Sequence, residues 1–220
     1  VQAGLKDAAM AAQRNLGIKT ALDRCTTNVM IADTDFNIIY LNDTVSAMMH
    51  RNESELRKVL PQFDANRLVG ASIDVFHKNP SHQRQMLGQL NQSYRTQIQV
   101  GNLHFSLAAN PITDERGQRL GTVVEWADRT AEVHIENEIA GVVDHASAGD
   151  FGHRLSVADK TGFFATLSVG MNRLLDVSAQ GLNDVAKVLA ALADGDLSQR
   201  MTGDYAGLFA KVQESVNRSN

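Results

Sequence analysis

The stretch Ala148-Gly149-Asp150-Phe151-Gly152-His153-Arg154-Leu155 returns as Asp194-Gly195-Asp196-Leu197-Ser198-Gln199-Arg200-Met201. An internal repeat constrains architecture more than any single motif. The blocks downstream also match: Gly162 to Arg173 lines up with Gly207 to Arg218, and the offset falls from 46 to 45 between the two halves. The connector inside the unit is therefore one residue shorter in the second copy. Before the first Gly-Asp, Ile135, Ile139, Val142 and Ala146 are spaced four, three and four; after the connector, Phe164, Leu167, Met171 and Leu174 are spaced three, four and three. Leu182, Val185, Leu189 and Leu192, followed by Phe209, Val212 and Val216, repeat the pattern. This is an a/d seam. Each unit reads as helix, non-helical connector, helix. A lone pair of such helices would expose its apolar stripe, so the spacing predicts a parallel four-helix bundle in a dimer, with a connector long enough to run back along it. Gly149 and Gly195 tolerate positive φ at a helix end, and Asp150 and Asp196 supply acceptors for the freed backbone donors.

The Gly-Asp segment, the arginine four residues after its aspartate and the glycine that opens the second helix resemble the HAMP signalling module. Both copies fit, which implies tandem HAMP domains over residues 133–178 and 179–220, the second truncated, with Gly149, Asp150, Gly195 and Asp196 as signal-transmission positions. HAMP units beside a membrane span usually carry a proline in the first helix. Neither copy has one, which favours internal, cytoplasmic units; an inert coiled-coil spacer would need neither the connector nor its repetition.

Composition sets the outer bounds. The chain has 220 residues, a formal net charge of −4 and evenly mixed signs, so there is no basic footprint for nucleic acid or anionic lipid. No apolar run is long enough for a membrane span, and no segment has the order of a signal peptide. Cys25 stands alone, which excludes a disulfide framework and points to a reducing compartment. A start at Val1 and an end at Asn220 inside a helical pattern are expected of an excerpt from a longer protein.

The first half reads differently. Lys6 to Ala21 is Ala-rich and helical in pattern, a lead-in helix preceding a domain that starts near residue 19 (lead-in 1–18, domain 19–132). Asn28 to Ala32 and Asn37 to Leu41 are short strand candidates around the turn signal Asp33-Thr34-Asp35-Phe36. Asn42 to Gln92 is polar and helical in pieces. Three further strand candidates follow, Arg95 to Val100, Leu103 to Ala109 and Leu120 to Trp126, with Gly101-Asn102 as a two-residue hairpin signal. Two strands, a helical excursion and a three-strand meander predict an α+β fold: a five-stranded antiparallel sheet with helices on one face. This is the order of PAS domains, and Asn28 to Asp33 with Ile38 to Asn42 resembles the opening hairpin of PAS domains from bacterial chemoreceptors. Glu125-Trp126-Ala127-Asp128-Arg129-Thr130 resembles their closing strand, including the Asp-x-Thr that hands the sheet to an output helix. Asp128 or Thr130 is placed to cap that helix, whose first turn carries Glu132.

The chemistry concentrates in Asp74-Val75-Phe76-His77-Lys78-Asn79-Pro80-Ser81-His82. An imidazole beside apolar neighbours suits a haem iron, but such a histidine is more often a partly buried structural side chain. The segment is similar to the haem-binding PAS domains of soluble aerotaxis-type chemoreceptors, in which the first His of F-H-x-x-P-x-H ligates haem b. That resemblance implies His77 as axial ligand of the haem iron, Trp126 as the distal hydrogen-bond donor to bound O2 or another diatomic gas, and Leu107 on the adjacent strand as a pocket-shaping residue. It also implies a homodimer whose downstream signalling domain meets a coupling adaptor and a histidine kinase. His82 reads as a solvated helix residue. His104, His134, His145 and His153 show no metal spacing with Cys or carboxylates, so no zinc site is expected, and no constellation supports an enzyme. A cofactor-free PAS serving as a dimerising relay and a flavin redox sensor are the alternatives.

Overall fold

The computed structural model describes residues 2–77 and 80–219, and these divide into two compact units, residues 1–133 and 134–220. In the first unit, helix α1 (Gln2–Asp23) precedes strands β1 (Asn28–Ala32) and β2 (Ile38–Leu41). Helix α2 (Asp43–Val59), two short 3-10 turns (Ala65–Arg67 and Ile73–Phe76) and helix α3 (Pro80–Gly88) form the excursion. The meander is β3 (Tyr94–Val100), β4 (Leu103–Thr113) and β5 (Arg119–Asp128). The sheet is five-stranded and antiparallel, as the sequence predicts, and its strands lie in the order β2-β1-β5-β4-β3.

The first strand thus pairs with the last, Asn28 opposite Trp126 and Ala32 opposite Thr122. Gly121 permits the close approach. A Cβ there would meet the Ala32 carbonyl oxygen at 2.3 Å. The Gly101 turn signal acts as read, with Gly101 (φ 61) closing the β3–β4 hairpin, and at the β4–β5 turn Asp114 Oδ1 accepts from Arg116 N (2.9 Å) and Gln118 N (2.7 Å). β4 runs on past Ala109 to Thr113 and includes Pro111. β3 ends opposite Ala109, so beyond that point β4 has a free edge, where proline is tolerated.

The core lies between the sheet and α2. Ile38, Val45, Met48, Met49, Phe63 and Phe105 are almost wholly buried there. Asn42, fully buried, knots the entrance to this unit. Its Nδ2 donates to Leu22 O (3.1 Å) and Thr27 O (2.7 Å), while Oδ1 accepts from Val29 N (3.0 Å) and, as N-cap of α2, from Val45 N (3.2 Å).

The second unit contains most of α4 (Thr130–Ser147), all of α5 (Gly162–Ala193) and α6 (Gly207–Ser219). The sequence repeat is a structural repeat. Gly149 (φ 88) and Gly195 (φ 81) end helices, and Gly162 (φ 56) and Gly207 (φ 58) begin them. Asp150 Oδ1 accepts from Gly152 N and Asp196 Oδ1 from Ser198 N, both at 2.9 Å. Further along, Asn172 exchanges two hydrogen bonds with the backbone of Leu155 (both 2.9 Å), and Asn217 does the same with Met201 (2.8 and 3.0 Å). α5 is continuous through the junction between the copies near residue 178. Intrachain burial falls on Val142, Leu155, Leu175, Val188 and Met201, whereas the seam residues Leu174, Leu182 and Leu189 are 65%, 49% and 52% exposed. Among the described residues no helix is long and apolar enough to cross a membrane.

Replacing Asn42 with Ala strands the Val29 and Val45 N–H groups in the core, so Asn42→Ala is expected to cost about 3 kcal/mol in urea unfolding followed by circular dichroism.

Candidate functional site

β5 and β4 lie side by side with Leu107 opposite Trp126, and the turn Ile73–Phe76 delivers His77 to the same face of the sheet. The three residues share one cavity of about 370 Å³, whose wall is otherwise mostly apolar and includes Met30, Phe76, Ile98 and Val124. This volume falls within the range of small-molecule sites, about 300–1,000 Å³. His82 stands at the cavity and is exposed on α3. Lys78 and Asn79, the spacer between His77 and Pro80, lie outside the described residues.

The His77 ring is fixed by a contact between Nδ1 and the Ile73 carbonyl oxygen at 3.0 Å. A carbonyl only accepts, so Nδ1 carries the proton and the free lone pair is on Nε2, the tautomer a metal-ligating histidine needs. Burial holds this imidazole below its ordinary pKa of 6.5, opposed by the Ile73 carbonyl and Asp74, so it is neutral at neutral pH. Arg84 of α3 secures the turn, donating from Nε (3.0 Å) and Nη2 (2.6 Å) to Asp74 and from Nη2 to Ser72 Oγ (3.1 Å).

Trp126 is 8% exposed and packs against Phe76 (ring centroids 5.3 Å apart) and edge-on against Phe105 (5.6 Å). Its Nε1 is buried without a hydrogen-bond partner among the described residues, as is Gln83 Oε1 in the same cavity wall. A buried unpaired donor costs about 1–3 kcal/mol, so a cavity that holds one asks for an acceptor. The pieces fit haem: an apolar slot, an imidazole with a free Nε2 and a donor with nothing to donate to. Arg84, Gln83 and Phe105 escaped the sequence reading, because none has a local spacing that marks it.

Two residues beyond Trp126, on the same face of β5, Asp128 ties the strand to the next helix. Its Oδ1 accepts from Thr130 N (3.0 Å), the first residue of α4, and its Oδ2 from Asn52 Nδ2 of α2 (2.8 Å). Thr130 plays the other part. Its hydroxyl accepts from His104 N (3.0 Å), while His104 O accepts from Arg129 N (2.8 Å). Burial alone would raise the Asp128 pKa, but the hydrogen bonds from Thr130 and Asn52 outweigh it and hold the carboxyl below 3.8.

With the sheet order and this junction in view, the first unit is PAS-like in architecture. Residues 159–220 match the model of the HAMP domain. The second unit carries a HAMP domain. The chain is 48% identical over 203 residues to the methyl-accepting chemotaxis protein McpB of Pseudomonas aeruginosa, an alignment that covers 92% of this chain and 30% of McpB. It therefore spans less than a third of that relative's length. Among solved structures, the Aer2 receptor of Vibrio cholerae, a dual PAS-heme oxygen sensor, is 37% identical over 46% of this chain and 93% of its own, with a TM-score of 0.44. The PAS domain of BvgS from Bordetella pertussis is 16% identical over 61% and 98%, with a TM-score of 0.38.

Because the Asp128 carboxyl sits below 3.8 in the folded chain, the unfolded state takes up its proton first as pH falls. Its stabilisation is present above the ordinary value and lost below it. Urea midpoints across about pH 3–5 are expected to fall less steeply for Asp128→Asn than for the wild type.

Proposed function

We propose that this chain is the sensory input and relay segment of a bacterial chemoreceptor, in which the PAS domain (residues 19–132) binds haem b and senses O2 or another diatomic gas. The observation that carries this reading is the meeting of His77, Leu107 and the unpartnered Trp126 Nε1 at one apolar cavity. Haem, when bound, supplies the iron at which a gas is taken up. His77, held by the Ile73 carbonyl through Nδ1, would be the residue that holds the iron through Nε2. Trp126 offers an indole N–H that favours a gas able to accept a hydrogen bond over one that is not, and Leu107 limits the space beside it.

The relay follows from the strand. A shift of the Trp126 ring is felt two residues on at Asp128, which holds both Asn52 and the first N–H of α4. A bundle with two nearly equal packings converts such a shift into rotation or splay, with the turns at Gly149-Asp150 and Gly195-Asp196 as pivots of tandem HAMP units (residues 133–178 and 179–220). The exposure of Leu174, Leu182 and Leu189, with an apolar groove along Val142, Ala146 and Met171, favours a homodimer that covers this seam. Further along the receptor, a coupling adaptor and a histidine kinase receive the signal in the cytoplasm.

Expression with a haem precursor is expected to give a protein with a strong Soret band that shifts with O2 and carbon monoxide. His77→Ala should lose the band. Trp126→Phe should keep it and release O2 about tenfold faster or more, since a hydrogen bond to a charged acceptor is worth about 1.5–3 kcal/mol, with carbon monoxide little changed. A colourless protein after haem reconstitution leaves the cofactor-free relay, and a flavin spectrum leaves the redox sensor.

Distances between spin labels at exposed Asn137 in the two protomers are expected to differ between the gas-free and gas-bound protein. Identical distances would remove the relay.

A further inference from the structure

The last turn of α4 and the first residues of the connector bring together three side chains that gas sensing does not use. His145 Nδ1 lies 3.5 Å from Asp150 Oδ2, and His153 Nδ1 lies 3.1 Å from the same oxygen. The two imidazoles stack, with centroids 3.6 Å apart and planes 12° from parallel. One ligand atom from each residue falls within 4.8 Å of the others, and all three residues are exposed. We propose that His145, Asp150 and His153 form a binding site for a divalent transition metal, zinc being the ion they fit, with water completing the coordination.

The donor set is the first reason. Two imidazoles and one carboxylate, with an open fourth position, is a zinc arrangement, and this mixed N/O set does not suit the hard ions calcium and magnesium. Distance is the second. Zinc arms of about 2.0–2.1 Å place tetrahedral ligands about 3.3–3.4 Å apart, and the separations of 3.5 and 3.1 Å in this cluster bracket that edge. Exposed imidazoles turn easily about the ring torsion, so their lone pairs converge at little cost.

Preorganisation is the third reason. Asp150 N donates to His145 O (2.9 Å), which locks these two residues across the turn at Gly149. Asp150 Oδ1 is taken by Gly152 N, and Oδ2 is the oxygen facing both rings.

The second copy of the repeat separates a ligand role from a folding role. There Asp196 N donates to Ala191 O at the same 2.9 Å, and Asp196 Oδ1 accepts from Ser198 N, so the turn is built identically. The positions of His145 and His153 are held by Ala191 and Gln199. The turn forms without histidines, and the first copy has them where they converge on a carboxylate. Sequence spacing hid the cluster: steps of five and three residues match no helical ligand pattern, because the helix ends between His145 and Asp150. The turn at Gly149 brings together two of the histidines for which sequence spacing gave no metal pattern. A bound ion would staple the first connector to α4 and leave the second connector without that restraint.

The test is zinc titration of the 220-residue chain against a chromophoric zinc indicator, beside the variant carrying His145→Ala and His153→Gln, the side chains of the second copy. One zinc per wild-type chain is expected, with affinity more than about a hundredfold weaker in the variant, since two of three ligands are gone, and a zinc-dependent rise in Tm seen in the wild type alone. Circular dichroism of the variant should match the wild type, since the second copy folds with these side chains. Equal affinity and stoichiometry in the two proteins, or no zinc on the wild type, would overturn the site. Haem content has no bearing on this readout, so its outcome is separate from that of the gas-sensing test.

Discussion

The first unit depends on the pairing of its first strand with its last. β1 and β5 are far apart in the chain, yet they run in register from Asn28 opposite Trp126 to Ala32 opposite Thr122. Closing so long a loop has an entropic cost, which the pairing meets by placing β5 in the middle of the sheet between β1 and β4. Gly121 sets how near the backbones come, and Asn42 fixes where β1 begins by binding Val29 N while it caps α2. A central β5 has two consequences. Trp126 is walled by neighbours on both sides and buried, and the strand's end leaves the sheet at its centre, directly into α4.

Those consequences connect the cavity to α4 through a single strand. Trp126 and Asp128 share a face through the two-residue period of the strand, which gives the proposed relay one short segment to act through. The unpaired Nε1 sharpens the point. A phenylalanine would pack among Phe76 and Phe105 without stranding a donor, so the indole carries a stability cost that packing alone does not explain. An acceptor supplied by a ligand removes that cost, and binding then changes the environment of the residue two steps from the helix start.

Much of this was legible in the sequence because it is local. Alternation and turn chemistry located all five strands, with ends displaced by one or two residues except at β4, which pairs with β5 through Pro111 to Thr113. The repeat located both connectors and their glycines. What escaped is non-local. Nothing near Asn42 announces that its amide serves Leu22, Thr27, Val29 and Val45 at once, and nothing near Arg84 announces Asp74. The a/d pattern marks a stripe but not which of its flanks meets the connector. Leu175 is buried in a cluster with Val142 and with Leu155 of the first connector, while its neighbour Leu174 remains exposed.

The two copies of the repeat share a backbone and differ in what fastens it. Each connector is tied to the preceding helix at equivalent positions, by Lys160 to Glu138 at 2.6 Å in the first and by Tyr205 to Asp184 at 2.5 Å in the second. The Lys160 side chain is 1% exposed and holds a charge away from water, so it is costly to leave unpaired; the same contact keeps the Glu138 carboxyl below 4.5. The Tyr205 phenol, donating to Asp184, is pushed up to about 12 and stays a neutral donor throughout the ordinary pH range. Meanwhile the reciprocal asparagine clamps at Leu155 and Met201 are the same in both. One fastening depends on ionic partners and the other on a neutral hydroxyl donating to a carboxylate, so the same geometry carries different energetics. Copies that are alike in shape and unlike in fastening yield to different perturbations, which would let the proposed relay move them one at a time.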